Sequence, residues 1–436
     1  MSEHESVKLV RAVGFGGLVA MCINAVVGSG VFLLPTESYK LLGPFSLWAP
    51  LLFAIPVFIL VLNFAEASSH FSEPGGAYLY ARTAFGDFIG FETGWMNWIA
   101  RLTSLASLSN GFVLSLAFLK PELGVGNARV AIILGTLLIL GAIHFVGVRY
   151  GAASIYVFTF GKLVPLVGFI VVALIAFKHN PIPASFTLPG RGTNWSDAAL
   201  FMLFAYAGFE NMGVPAGEYR NPRRDLPRAL LAGTLAIAAI YVLAQLGAMA
   251  TIPDLSHSST PIADAAAALV GSAGAFVVTL GALLSMAGTN SGTVLEGSRM
   301  LYALSLDRRM GPISYVHPRF RTPVVAIVIH VGLAAVLAVA GKFATLALLS
   351  AVARLTTYLF TCAAVPRLRK LNEGFRTPGL IVPILGVAAS LLICVSLTRD
   401  KLLMGLYALL AGALVYVLSA RRLLFKKHEQ TTDEHA

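Results

Sequence analysis

The chain has 436 residues, 57% of them hydrophobic and only 12% charged, where soluble domains carry about 25% charged residues. With a mean hydropathy of +0.78 it cannot cover itself with a polar shell, which excludes a soluble enzyme, a coiled coil and a disordered chain. The net charge of +11 is spread over short loops rather than gathered on one face, so no nucleic-acid partner is expected.

The apolar runs last about 20 residues without period-two alternation, which excludes an outer-membrane barrel and fits helices that cross a bilayer. The segment Met1 to Val10 contains Glu3 and Glu5 and lacks the basic start of a signal peptide, so the first run is expected to stay as a helix. Twelve spans follow, near 13–39, 44–66, 88–118, 129–146, 154–177, 197–219, 227–251, 271–304, 323–340, 343–366, 380–398 and 402–420. After the second, Glu73-Pro74-Gly75-Gly76-Ala77-Tyr78 marks a turn leading into a short amphipathic stretch. Asp254 to Leu269 reads as an outer loop ending in an Ala-rich helical run.

An even number of spans puts both termini on one side. With the termini inside, 20 of the Lys and Arg residues fall on the cytoplasmic face and 8 on the outer face, as the positive-inside rule requires. A multi-pass protein of the cytoplasmic membrane is therefore expected, with residues 1–12 and the tail 421–436 in the cytoplasm. Cys22, Cys362 and Cys394 lie in apolar segments without metal spacing, so neither a metal nor a cofactor is expected.

Sliding the chain against itself by 180 residues aligns Gly28-Ser29-Gly30-Val31-Phe32-Leu33-Leu34-Pro35 with Gly208-Phe209-Glu210-Asn211-Met212-Gly213-Val214-Pro215. These are the first and sixth spans. Five spans separate them, so the second copy enters from the opposite side, the mark of an inverted repeat. Gly28, Gly30 and Gly208 sit at mid-span, where glycine weakens a helix. Backbone unwinds at that depth only where protein or water satisfies it, so two breaks in matching positions point to a central cavity. A half-helix starting after Gly28 would offer free N–H groups to a carboxylate. Carbonyls freed around Val26 and Ala207 would suit an ammonium group. Close helix packing by small residues is the competing reading of the same glycines.

These segments resemble the amino acid–polyamine–organocation (APC) superfamily over nearly the whole chain. Gly28 to Pro35 is similar to the first-helix motif, and Phe204-Ala205-Tyr206-Ala207-Gly208-Phe209-Glu210 to the sixth-helix motif. Asn221 to Ala229, Pro74 to Tyr78, Gly297 to Ala303 and Arg321-Thr322-Pro323 resemble further signatures. The resemblance implies an all-α polytopic membrane protein of 12 transmembrane helices, in a LeuT-like five-plus-five inverted repeat with helices 1 and 6 discontinuous. The repeats would be 13–177 and 197–366, with two extra C-terminal helices at 380–420. It further implies that Val26, Val27, Gly28, Ser29, Gly30, Ala205, Tyr206, Ala207, Gly208, Phe209 and Glu210 bind substrate, with Phe204 as a gating aromatic. Thr289 and Asn290 in Gly288-Thr289-Asn290-Ser291 would form the facing wall. Lys162 matches the fifth-helix lysine of sodium-independent members, where an ammonium stands in for sodium.

Charges inside spans are costly and mark functional candidates. Lys162 would couple helix motion to protonation, against the plainer reading of a lysine snorkelling to an interface. Glu210 would sense protons or a substrate amine, or cap the second half-helix. Arg101 and Arg354 would pair with Glu210 or substrate, or face an aqueous vestibule, which is the expectation here. Glu296 and Arg299, three apart, are expected to pair. His144 and His330 are expected to be structural.

The function expected from these residues is secondary transport of L-amino acids, neutral or aromatic, by alternating access, sodium-independent and either proton-coupled or exchanging. The alternatives are a polyamine or cationic amino acid antiporter, which would need an acid facing the pocket, and, from another class, a membrane sensor or receptor. Clustered His, Asp or Glu for a membrane enzyme is missing from the sequence. The lipid bilayer, an amino acid or related amine, and protons are the partners implied; oligomeric state is not encoded in any feature found.

Overall fold

Long apolar runs fold as helices because only a helix satisfies every backbone N–H and C=O within one membrane segment. The computed structural model describes residues 13–72, 75–146, 151–176, 188–190, 193–214, 216, 219–252, 254–308, 310–371 and 373–433, side chains at 151–156, 307 and 420–433 aside. Residues 1–12, Glu73, Pro74 and Pro215 fall outside this set, as do Arg149, Lys178, Arg191 and Arg309 of the charge count.

The helices are α1 (Phe15–Val26), α2 (Gly30–Leu42), α3 (Ala49–Ser69), α4 (Ala77–Phe85), α5 (Asp87–Leu119), α6 (Gly126–Val146) and α7 (Gly151–Ala176). After them come α8 (Trp195–Tyr206), α9 (Pro222–Thr251), α10 (Pro261–Asp307), α11 (Val324–Ala340), α12 (Phe343–Leu368), α13 (Ile381–Ser396) and α14 (Arg399–Asp433). No strand occurs among the described residues; one isolated bridge joins Val13 to Tyr219. Helix occupies each of the twelve apolar stretches, and 8 helical stretches are long and apolar enough to cross a membrane. The expected amphipathic piece after the second span is α4. The expected Ala-rich run is the first part of α10, set off from the rest where Val270 leaves helical geometry and Gly271 takes φ 73°.

Packing sorts the helices into an inner and an outer set. α5 and α12 lie against each other, and α5 also packs on α10; α9 holds α1 and α3. In α5 and α12, 67% of the apolar window is buried, against 22% in α6 and 11% in α14. Side chains such as Leu138, Phe160, Leu392 and Val395 are exposed on the outer helices, where hydrocarbon rather than water would meet them. Polar clamps join helix ends. Arg129 donates to Asn110 Oδ1 and to the carbonyls of Ala338, Val339 and Gly341, satisfying the C-terminus of α11. Glu66, at the end of α3, accepts from Arg369 (2.5 and 3.0 Å) and from the Thr377 amide (2.9 Å).

Candidate functional site

The first break separates α1 from α2. α1 stops at Val26, Val27 turns out of the helix (φ −72°, ψ 89°), and the chain becomes helical again at Gly30. The last carbonyls of α1 meet a set of donors. Lys162 Nζ donates to Asn24 O (3.1 Å) and Val27 O (2.7 Å) and reaches Thr289 Oγ1 (3.4 Å). Ser285 Oγ donates to Val27 O and Gly28 O, and Tyr241 Oη to Val26 O (3.2 Å). A fully buried ammonium at a helix C-terminus is where the helix dipole favours it, so Lys162 does not snorkel. The expectation that the Val26 carbonyl stays free is corrected by the Tyr241 hydroxyl. At the other side of the break, the first amides of α2, at Gly30 and Val31, have no acceptor among the described residues, the ordinary condition of a helix N-terminus.

The second break follows α8. Ala207 is extended, Gly208 takes φ 134°, and Phe209–Asn211 form one tight turn. A Cβ at Gly208 would lie 2.5 Å from Ala25 O, and one at Gly30 would lie 2.9 Å from Ala205 Cα. Both breaks therefore use glycine to bring backbone against backbone.

Glu210 holds the second break. Its Oε2 accepts from the Gly208 amide at 2.8 Å, while Oε1 accepts from Arg101 Nη2 (2.5 Å) and Arg354 Nε (2.8 Å). The Tyr358 hydroxyl lies 3.5 Å away, its ring stacked on Phe209. The Asn211 carboxamide lies against the Arg101 guanidinium, where its oxygen is the matching acceptor. Arg101 Nη1 reaches Glu296 Oε2 at 3.0 Å.

Several pairings differ from expectation. Arg101 and Arg354 are buried and joined to Glu210, not exposed to a vestibule, because a guanidinium taken out of water needs a carboxylate more than it needs sequence proximity. Glu296 pairs with Arg101 instead of Arg299, which donates to Ser298 Oγ at 3.4 Å. Glu210 caps an amide of the break, as one expectation had it, but carries two arginines besides. His144 bonds Ser291 Oγ at 3.0 Å, and His330 is packed against Gly297 and Trp98.

A cavity lies between the two breaks, lined by Ala25, Val26, Gly28, Ser29, Gly30, Arg101, Ser104, Leu108, Phe204, Ala207, Thr289 and Arg354. At about 20 Å³ it has room for little more than one water. Of the expected residues, Val26, Gly28, Ser29, Gly30, Phe204, Ala207 and Thr289 line it. Val27, Ala205, Tyr206, Gly208, Phe209, Glu210 and Asn290 do not. Tyr206 instead donates to Pro50 O, Ala205 O accepts from Tyr241, and Asn290 is buried with neither amide atom partnered among the described residues. The additions come mainly from α5 and α12. Arg101, Ser104 and Leu108 stand at i, i+3 and i+7, one face of α5, a periodicity that was present in the sequence.

Two helices opened at facing positions around a polar cavity, inside a bundle of apolar helices, form a setting for a solute. The amino acid permease family matches residues 17–419. The chain belongs to the amino acid permease family, within the APC superfamily. This permease is 30% identical over 425 residues to the serine/threonine exchanger SteT of Bacillus subtilis, covering 94% of this chain and 96% of that one. It is 26% identical over 441 residues to the branched-chain amino acid permease BcaP of the same organism, covering 95% and 94%. The permease is thus a multi-pass membrane protein, and the cavity between its opened helices is the candidate place for a solute.

Proposed function

We propose that this permease is a secondary active transporter that moves neutral L-amino acids across the cytoplasmic membrane by alternating access. The observation that carries the reading is the facing pair of breaks, with the unpaired amides of α2 on one side of the cavity for a substrate carboxylate. In this reading the polypeptide crosses twelve times with both termini in the cytoplasm. Residues 13–177 and 197–366 are the inverted repeats, and 380–420 supplies two further helices. The substrate lies among Val26, Gly28, Ser29, Gly30, Phe204, Ala207 and Thr289.

Transport is independent of sodium, since the Lys162 ammonium already occupies the carbonyl cluster at the end of α1. Proton symport and exchange remain the two modes of coupling. A cationic amino acid or polyamine needs an acid on the cavity wall. Among the described residues the wall has none, because Glu210 stands behind Arg101 and Arg354.

The test is uptake of radiolabelled amino acids by proteoliposomes, with and without sodium, a pH gradient or internal amino acid. Uptake of at least one neutral L-amino acid without sodium is the expected result. No uptake or exchange of any amino acid or amine would overturn the reading, and dependence on sodium would overturn the role of Lys162.

A further inference from the structure

We propose that Arg354, with Ser104, makes the cavity selective for neutral L-amino acids whose side chain carries a hydrogen-bond acceptor, a hydroxyl or a carboxamide. The proposal rests on the transport reading above and names the substrate class for the same site.

Polar groups on the cavity wall are left without a partner among the described residues. Arg354 spends Nε on Glu210 and Nη1 on Ser350, while Nη2 has no acceptor among the described residues. The Ser29 hydroxyl is buried with no hydrogen-bond partner among the described residues, and Ser104 lines the same cavity. Arg354 and Ser29 are each 1% exposed, and both line the cavity. Buried donors left unpaired are costly. A ligand that brings an oxygen to them recovers that cost; an apolar side chain of the same shape does not.

The charge balance narrows the class. Arg101 and Arg354 are matched by Glu210 and Glu296, joined through contacts of 2.5, 2.8 and 3.0 Å. A side-chain ammonium would add an uncompensated cation next to two guanidinium groups. A side-chain carboxylate would compete with Glu210 for the same arginines and leave one carboxylate unpaired in a closed interior. A neutral acceptor satisfies Arg354 Nη2 without disturbing the balance.

L-Threonine and L-valine have nearly the same shape and differ by the hydroxyl, so they isolate the effect. In proteoliposomes holding the full chain, uptake of labelled L-threonine should be suppressed by unlabelled threonine, serine and asparagine. Valine should be roughly 10- to 100-fold weaker as a competitor, the discrimination given by one hydrogen bond to a charged group. L-Lysine, L-ornithine and L-aspartate should compete no better than valine. In Arg354→Met, which leaves Glu210 bonded to Arg101 and the Gly208 amide, the threonine-to-valine ratio should fall toward one; Ser104→Ala should lower it less.

Equal competition by threonine and valine in the wild type would overturn the proposal, as would lysine or aspartate matching serine. An unchanged ratio in an Arg354→Met protein that still transports would overturn the role of Arg354. Should that variant fail to assemble, the wild-type ratios and Ser104→Ala still decide. Uptake that exists but ignores the hydroxyl refutes this proposal alone; absence of all uptake refutes the transport reading beneath it.

Discussion

The two interrupted helices meet the same backbone problem with opposite polarity. Where α1 stops, carbonyl oxygens are left over, and donors from three other helices reach them: Lys162 of α7, Tyr241 of α9 and Ser285 of α10. Where α8 stops, the group in need is the Gly208 amide, and one carboxylate from the next turn accepts it. That carboxylate then has to be neutralised, which draws in Arg101 of α5 and Arg354 of α12. The first break is thus tied to α7, α9 and α10, and the second to α5 and α12, with the Tyr241 hydroxyl of α9 touching both. Apart from α9, a change that loosens one break acts on different neighbours from a change that loosens the other.

Removing the hub of the second break should have the largest effect. Glu210→Gln leaves Arg354 in the interior without a carboxylate and Arg101 with Glu296 alone, and breaking such a buried pair costs about 3–5 kcal/mol. Thermal unfolding of the detergent-solubilised protein should show a marked fall in Tm together with near-complete loss of uptake. A Tm like that of the wild type would mean that the arginines find other acceptors and that the second break is not organised around Glu210.

Next should come Gly208→Ala. A side chain at φ 134° is strained by about 1–3 kcal/mol, and its Cβ would press on Ala25 O. Gly30→Ala meets Ala205 Cα but has no positive φ to accommodate, so its loss of uptake should be the smaller of the two. The reverse order in an uptake assay at matched expression would show that the first break is the tighter one.

Smallest should be Tyr241→Phe. The hydroxyl touches Val26 O (3.2 Å) and Ala205 O (2.7 Å), one carbonyl from each broken helix. Its loss should cost about 1 kcal/mol, read as a modest fall in Tm with uptake retained. A loss as large as that of Glu210→Gln would make α9, rather than the separate neighbours, the element on which both breaks depend.

The placement of the breaks was readable because it is a local property. Gly28, Gly30 and Gly208 weaken a helix wherever they stand, and their depth within apolar runs follows from counting. The partners of the buried charges were not readable in the same way. Arg101, Glu210, Glu296 and Arg354 come from α5, the turn after α8, α10 and α12, and nothing in their spacing announces that they meet. For Glu296 the neighbour three residues along pointed to Arg299, yet the tertiary partner Arg101 prevailed, since desolvation makes a buried partner worth more than a helical neighbour. The cavity wall was legible on the glycine side and less so on α5, where Ser104 and Leu108 share a face with Arg101 but carry no distinguishing chemistry of their own.

The small size of the cavity has a consequence for how affinity would be measured. With room for about one water, this conformation does not admit an amino acid, so a ligand binds only to the share of molecules whose helices have moved apart. The observed dissociation constant is then the constant of the opened form divided by that share, so an open population of about one in a hundred weakens apparent binding about 100-fold. Substitutions that merely prop the helices apart would tighten binding without making a single new contact. A gain in affinity, taken alone, therefore does not identify a residue that touches the substrate.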